Sequence, residues 1–369
     1  MPDRRPTLGE TDPLPSTRPR RIDMAGREST STIVIESGGV KSLSELLHNR
    51  RRTIVITDRN VARFHGDCFA DWPVLVVEPG EASKSLAVAE HLYRDLIRLE
   101  ADRDTFVLGF GGGIVCDLAG FVATTYMRGV PFGFVATSLL AQVDASVGGK
   151  NGVNLDRYKN IVGTFSQPEF VICDPHVLNT LPMPELQCGF AEIVKHMFIA
   201  DEPMLTWFEG RAQKALALDE ETISAVVEHS VRTKAAIVNR DEREKGERRK
   251  LNFGHTLGHA VERINGVPHG EAVAVGMVAA ANISKRLDLL TRADVNRIIQ
   301  ILERIHLPVR LNAPADQLLE AMRKDKKRAG SSVHFVLLDG IGRAVVREIS
   351  FDALESVLRD MEREGHAGQ

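Results

Sequence analysis

Short runs of β-branched residues alternate with helical periods through the first half of the chain. Thr32-Ile33-Val34-Ile35, Thr53-Ile54-Val55-Ile56-Thr57, Val74-Leu75-Val76-Val77 and Phe106-Val107-Leu108-Gly109-Phe110 predict strands. Between them Leu86, Ala89, Leu92, Leu96 and Leu99 recur at helical spacing over 85–100. Such alternation predicts an α/β domain with a doubly wound, largely parallel, Rossmann-like sheet. After Cys173 the period changes. Residues 191–199, 220–238, 255–264, 271–289 and 292–305 predict helices, 335–338 and 344–346 a hairpin turned by Asp339-Gly340, and 351–364 a closing helix. The pattern divides the chain into an α/β domain over 31–178 and a mainly α-helical domain over 179–369. Residues 1–30, rich in Pro and Arg and without an apolar period, predict a disordered leader. The acids Asp3, Glu10, Asp12, Asp23 and Glu28 argue against a transit peptide.

Composition narrows the class. Of 369 residues, 43% are hydrophobic and 26% charged, which is the profile of a globular protein able to bury a sizeable core. The net charge of −3 gives no global attraction to nucleic acid or an anionic membrane. No apolar run approaches the roughly 20 residues that span a bilayer, and the N-terminus lacks a secretory h-region. Cys68, Cys116, Cys173 and Cys188 contain no C-x-x-C pair and read as small core residues in a reducing cytoplasm.

Polar residues then mark where chemistry can sit. Gly111-Gly112-Gly113 joins a strand to a helix, as a pyrophosphate-binding turn does, although it is not G-x-G-x-x-G and a plain tight turn reads equally well. Asp58 and Asn60, past a strand end, suit a ribose or base, and Glu81 and Lys84 share a compact polar loop. The stretch 128–160 gathers Arg128, Asp144, Lys150, Asn151, Asn154, Lys159 and Asn160 among glycines, which points to an anionic, hydroxyl-rich ligand rather than a self-stabilised loop. His255 and His259 lie four apart on one helical face, with His269 in a loop opening the next helix, a set suited to Zn²⁺ or Co²⁺. The stretch offers no clear carboxylate ligand: Glu262 falls on the outer face and Glu271 starts a helix. Glu192, in an apolar helix with Lys195 and His196 one turn on, is the other candidate.

Taken together, the motifs resemble the sugar phosphate cyclase family, and within it the dehydroquinate-forming branch, over about residues 33–346. The motifs are Pro79-Gly80-Glu81-x-x-Lys84, Gly111-Gly112-Gly113-x-x-x-Asp117, Tyr126-Met127-Arg128-Gly129, Leu140-Ala141-Gln142-Val143-Asp144, Gly148-Gly149-Lys150, Lys159-Asn160, Ala191-Glu192-x-x-Lys195, Leu251-Asn252-x-Gly254-His255-Thr256 and His269-Gly270-Glu271-Ala272-Val273. The resemblance implies NAD bound by Asp58, Asn60, Glu81, Lys84, Gly112, Gly113, Asp117, Thr137, Ser138, Lys150 and Lys159. It implies one divalent metal, Zn or Co, on Glu192, His255 and His269, which moves His259 to the substrate side. It implies a substrate, 3-deoxy-arabino-heptulosonate 7-phosphate, surrounded by Arg128, Asp144, Lys150, Asn160, Lys195, Lys234, Arg248, Asn252, His259 and Lys326 (or its neighbour Lys327), with Lys150, Lys195, Lys234, Asn252 and His259 carrying the catalysis. The implied chemistry is transient oxidation, β-elimination of phosphate, reduction and aldol closure in the shikimate pathway, by a cytoplasmic homodimer. Ser138 and Asn151 stand where threonine is common in the family.

Three other readings compete. Another cyclase of the family, the aminodehydroquinate branch above all, shares Arg248, Asn252 and His259. A metal- and NAD-dependent polyol dehydrogenase shares the two-domain plan but has no need of Arg128, Lys150, Lys195 and Lys234 together. A metal-stabilised binding protein would leave Lys195, Lys234 and Asn252 without roles.

Overall fold

The computed structural model describes residues 20–26, 30–50, 52–156, 158–311, 313–325 and 332–367. Its strands are β1 (Arg20–Ala25), β2 (Thr30–Ile35), β3 (Thr53–Asp58), β4 (Val74–Val77), β5 (Phe106–Gly111), β6 (Phe132–Ala136), β7 (Lys150–Leu155), β8 (Tyr158–Phe165), β9 (Phe170–Cys173), β10 (Ser332–Leu338) and β11 (Ala344–Ser350). Seven of them form one sheet in the order β1-β2-β9-β6-β5-β3-β4, parallel throughout except for the antiparallel β1–β2 edge. β5 is buried along its whole length and β3 along all but its last residue, as expected for parallel strands covered on both faces.

Four helices accompany the sheet: α1 (Leu43–Leu47), α2 (Arg59–His65), α3 (Leu86–Arg98) and α4 (Gly113–Thr125). Asp58 caps α2 by accepting from Asn60 N and Val61 N, and Ser85 caps α3. The chain steps from β3 to β4 on one side and then crosses to β5 on the other. The crevice at the C-terminal ends of β3 and β5 is therefore the switch point where such sheets bind ligands.

The second half holds α5 (Met183–Ala200), α6 (Glu202–Glu209), α7 (Ala212–Leu216), α8 (Glu220–Arg240), α9 (His255–Asn265), α10 (His269–Arg286), α11 (Arg292–Arg304), α12 (Ala315–Asp325) and α13 (Phe351–Ala367). One apolar core runs unbroken from the sheet (Ile54, Val107, Val171) into these helices (Phe190, Val227, Ala279, Leu354), and a smaller one covers the other sheet face around Val55 and Phe110. Among the described residues no helix is long and apolar enough to cross a membrane.

Three expectations change. Order does not begin at Ser31: Arg20–Ala25 forms β1, paired with β2 from Arg20↔Ile35 to Ala25↔Thr30 and tied to α8 by Arg20–Glu228. Alternation of buried Ile22 and Met24 with exposed neighbours is the strand signal, hidden among arginines. The polar stretch after Gly148 is the hairpin β7–β8, in which Asn151 and Asn154 serve the fold. Asn151 donates to Gly149 O and Ser166 O, while Asn154 donates to Glu81 and accepts from Asn160 N. The β10–β11 hairpin turns over five residues, 339–343, with Gly340 and Gly342 at positive φ.

Candidate active site

Glu192 sits on α5 with no exposed surface, against Lys195 one turn on. Two imidazoles face it from other helices: His255 Nε2 lies 3.6 Å and His269 Nε2 3.7 Å from Glu192 Oε1. The ligand atoms of Glu192, His255 and His269 all fall within 4.8 Å of one another. What brings them together is a close crossing of α9 and α10. Gly254, at φ +81, starts α9, and a Cβ on Gly276 of α10 would lie 1.9 Å from Gly254 O. Only glycine on both helices lets the backbones approach so far.

Protonation follows from the partners. His255 Nδ1 lies 3.2 Å from Phe253 O, which can only accept, so the proton resides there and Nε2 presents a lone pair. Burial holds the His255 pKa down to about 3, so it stays neutral. Burial would also lower His269, but Glu192 and Glu262 on either side raise it to about 9. Burial alone would raise Glu192; Lys195 and the two histidines reverse that and hold it well below the usual carboxylate range. Its oxygens are kept by ion pairing, without well-aligned hydrogen bonds. A buried anion beside His255, whose Nε2 lone pair is free, and His269, which gives up a proton as an ion binds, is a donor set that a borderline divalent ion completes. His259, exposed, lies edge-on to His255 and tilted against His269, at 5.5 and 6.4 Å between centroids, and is outside this set.

Cations line the same region. Lys234, on α8 and 6% exposed, donates to Asp144 Oδ1 at 2.6 Å. Burial would raise Asp144, but Lys234 and Lys195 bring it down to about 2. Asp144 lies in a π turn (Ala141–Ala145) that α5 and α8 flank. Arg248 is buried and donates to Gly148 O and Glu242 O. Lys150 pairs with Glu244, which also accepts from Asn252 Nδ2 at 2.6 Å.

At the switch point, Gly112 caps α4 and Gly113 opens it; a Cβ on Gly113 would meet Ala145 Cβ at 3.0 Å. Thr137 and Ser138, both buried, follow β6 beside this turn. Lys84 and Asp117 form a buried ion pair with each other. Asp58 and Asn60 stand at the end of β3, and Lys159 reaches across to Glu262 on α9 at 2.6 Å.

Arg128 is the exception. It precedes β6, so it lies at the N-terminal edge of the sheet, while Asp58, Gly112 and Thr137 mark the C-terminal edge. β6 alone separates them by about 16 Å at ~3.3 Å per residue. Within one chain it stands apart from the cluster, exposed and at φ +70. Lys326 lies outside the described residues.

Three residues escaped the sequence reading. Glu244 gave no signal beyond being one acid in a charged loop. His196 follows Lys195 and is wholly buried near Asp144 and Glu192 with neither ring nitrogen partnered, a placement that its apolar neighbours hinted at. Glu262, expected on the outer face, turns inward to His269 and Lys159.

A doubly wound sheet with a glycine turn at its switch point, abutting a helical half with a Glu-His-His cluster among lysines, defines a sugar phosphate cyclase type of protein. The family models for the N-terminal and C-terminal parts of 3-dehydroquinate synthase match residues 74–188 and 189–328. The chain belongs to the 3-dehydroquinate synthase family. It is 42% identical to the 3-dehydroquinate synthase of Symbiobacterium thermophilum, over 91% of this chain and 99% of that one. Among solved structures it is similar to 2-deoxy-scyllo-inosose synthase complexed with carbaglucose-6-phosphate, NAD⁺ and Co²⁺ (TM-score 0.81, 25% identity, 93% of this chain and 100% of that one). It also shares the fold of 2-epi-5-epi-valiolone synthase from Streptomyces hygroscopicus with NAD⁺ and Zn²⁺ bound (TM-score 0.85, 24% identity, 92% and 99% of the chains).

Proposed function

We propose that the chain is a 3-dehydroquinate synthase, converting 3-deoxy-D-arabino-heptulosonate 7-phosphate to 3-dehydroquinate and phosphate in the shikimate pathway. The observation that carries this reading is the Glu192–His255–His269 cluster set among Lys195, Lys234 and Arg248, all three buried. A dehydrogenase of small neutral polyols has no use for three buried cations, whereas a phosphorylated sugar acid does.

Glu192, His255 and His269 would hold Zn²⁺ or Co²⁺, which would supply a Lewis acid, and Asp58, Asn60, Glu81, Lys84, Gly112, Gly113, Asp117, Thr137, Ser138, Lys150 and Lys159 would hold NAD at the switch point, which would supply a hydride acceptor regenerated within each turnover. The chain's own groups orient and neutralise. Lys150, Lys195, Lys234, Arg248, Asn160 and the 326–327 lysines hold the phosphate and carboxylate. Asn252 and His259 hydrogen-bond the hydroxyls, and Asp144 fixes Lys234. With cations placing the phosphate, its own oxygen takes the proton during elimination, so no separate base is needed. The halves on either side of 178/179 act as two bodies that close to exclude water.

The working unit is a homodimer in the cytoplasm. Among the described residues one edge of β8 is unpaired, and the strand exposes Tyr158, Ile161 and Phe165, with Leu155 beside them on β7, an apolar set that suits a second copy. Sedimentation of the full chain and of Ile161→Lys tests this: a wild type that is monomeric at micromolar concentration refutes it.

The activity is tested by incubating the protein with substrate, NAD and Zn²⁺. Phosphate release without NADH accumulation is expected. Stoichiometric NADH, or no phosphate, favours a dehydrogenase instead.

A further inference from the structure

Glu262 sits on α9 two turns past His255, with a side chain 17% exposed. Lys159 Nζ donates to one of its oxygens at 2.6 Å, and His269 Nδ1 lies 3.4 Å from the other. Lys159 belongs to β8, so this carboxylate touches both halves of the molecule. A carboxylate only accepts, so when an ion displaces the proton on the Nε2 side, which faces Glu192, His269 keeps the one on Nδ1 that Glu262 holds. His255 is set the same way by a backbone carbonyl, which no substitution removes. For His269 the same task falls to a side chain.

We propose that Glu262 is a positioning residue of the metal centre, holding His269 in the tautomer and orientation that present Nε2 to the ion. The proposal rests on the reading of Glu192, His255 and His269 as metal ligands. A ligating imidazole whose other nitrogen is held by a carboxylate binds its ion more tightly, and loss of that partner typically weakens affinity about 10- to 100-fold.

The test uses the purified full chain, Zn²⁺ affinity by chelator competition and the visible absorption of the Co²⁺-loaded protein. Glu262→Gln keeps the shape and one acceptor oxygen, while Glu262→Leu loses acceptor and charge. The Leu variant is expected to bind Zn²⁺ about 10- to 100-fold more weakly with altered Co²⁺ bands, and the Gln variant to fall between it and wild type. Circular dichroism in chelator should match wild type for both. Lys159→Met, which leaves the imidazole its acceptor, should stay within threefold of wild type. Wild-type affinity and bands in both Glu262 variants, or a loss in Lys159→Met equal to that of the Leu variant, overturn the proposal. A His255→Ala variant that binds Zn²⁺ as tightly as wild type would instead overturn the metal reading itself, which separates the two failures.

Discussion

Gly276→Ala is a one-carbon change whose consequence follows from the helix crossing. The new Cβ would lie 1.9 Å from Gly254 O, 2.8 Å from Gly254 C and 3.0 Å from Gly258 N. All three are backbone atoms, so no side chain can rotate out of the way. Ordinary contact begins at 3.4 Å, so the start of α9 must retreat by about 1.5 Å. Overpacking of this kind costs about 1–3 kcal/mol, and a backbone-on-backbone clash belongs at the upper end. At roughly 2 °C per kcal/mol for a chain of this size, the melting temperature should fall by about 6 °C. His255 follows Gly254 directly and His269 shares a helix with Gly276, so the shift also separates the two imidazoles. Metal distances tolerate only about ±0.2 Å, and Zn²⁺ affinity should collapse. Urea unfolding in chelator measures the packing loss, and chelator competition the site. Gly66→Ala is the control: its Cβ meets nothing within 4 Å and its φ of −56° suits alanine, so stability should stay within about 0.5 kcal/mol. A Gly276→Ala protein with wild-type midpoint and wild-type Zn²⁺ affinity would refute the crossing as the device that builds the site.

Lys84→Met leaves Asp117 buried with its ion-pair partner gone and should cost about 3 kcal/mol at neutral pH, read by urea unfolding. Burial already raises the Asp117 pKa against the pull of Lys84; with Lys84 gone it rises further. A carboxyl with a raised folded pKa stabilises below its unfolded value and loses that as pH climbs, so the deficit of the variant should shrink from pH 7 to pH 5. A pH-independent deficit would refute this. His255→Ala should abolish Zn²⁺ binding while His259→Ala keeps it within threefold and slows turnover; equal loss in both contradicts the ligand set. Deleting residues 1–26 removes β1 and the Arg20–Glu228 contact and bares the β2 edge. Light scattering should report aggregation and a lower melting temperature, and an unchanged protein would mean that β1 is dispensable.

The strands that could be read in the sequence are β2, β3, β4, β5 and the β10–β11 pair, because each carries a continuous β-branched or apolar run. β6 and β9 escaped: the first carries a glycine, and the second is four residues between a proline-bearing turn and Asp174. Their strand state is imposed by neighbours on both sides rather than by local propensity. The Glu192–His255–His269 cluster shows the same division. Helical spacing at 255 and 259 is visible locally, whereas the imidazoles that face Glu192 are His255 and His269, because such a cluster is a tertiary property. Gly276, eighteen residues from Gly258, decides which imidazoles meet Glu192. Glu262 lies seven residues past His255, on the same face of α9, so helical spacing places it beside the imidazoles, where it meets His269 and Lys159, rather than on the outer face. Arg128 reads as one of the polar cluster in sequence, yet a parallel strand carries the chain from one sheet edge to the other and separates it from its neighbours in the motif list.

The pairing of Lys195 with Glu192, both almost fully buried, bears on the order of events after synthesis. A buried carboxylate with no cation nearby would oppose folding by several kcal/mol. Here a covalently attached ammonium is already in place. The chain can therefore adopt its final shape while still empty, in contrast to small zinc domains that stay unfolded until an ion arrives. Occupancy then becomes a matter of supply and exchange, and the same finished polypeptide can pass from one divalent ion to another without unfolding in between.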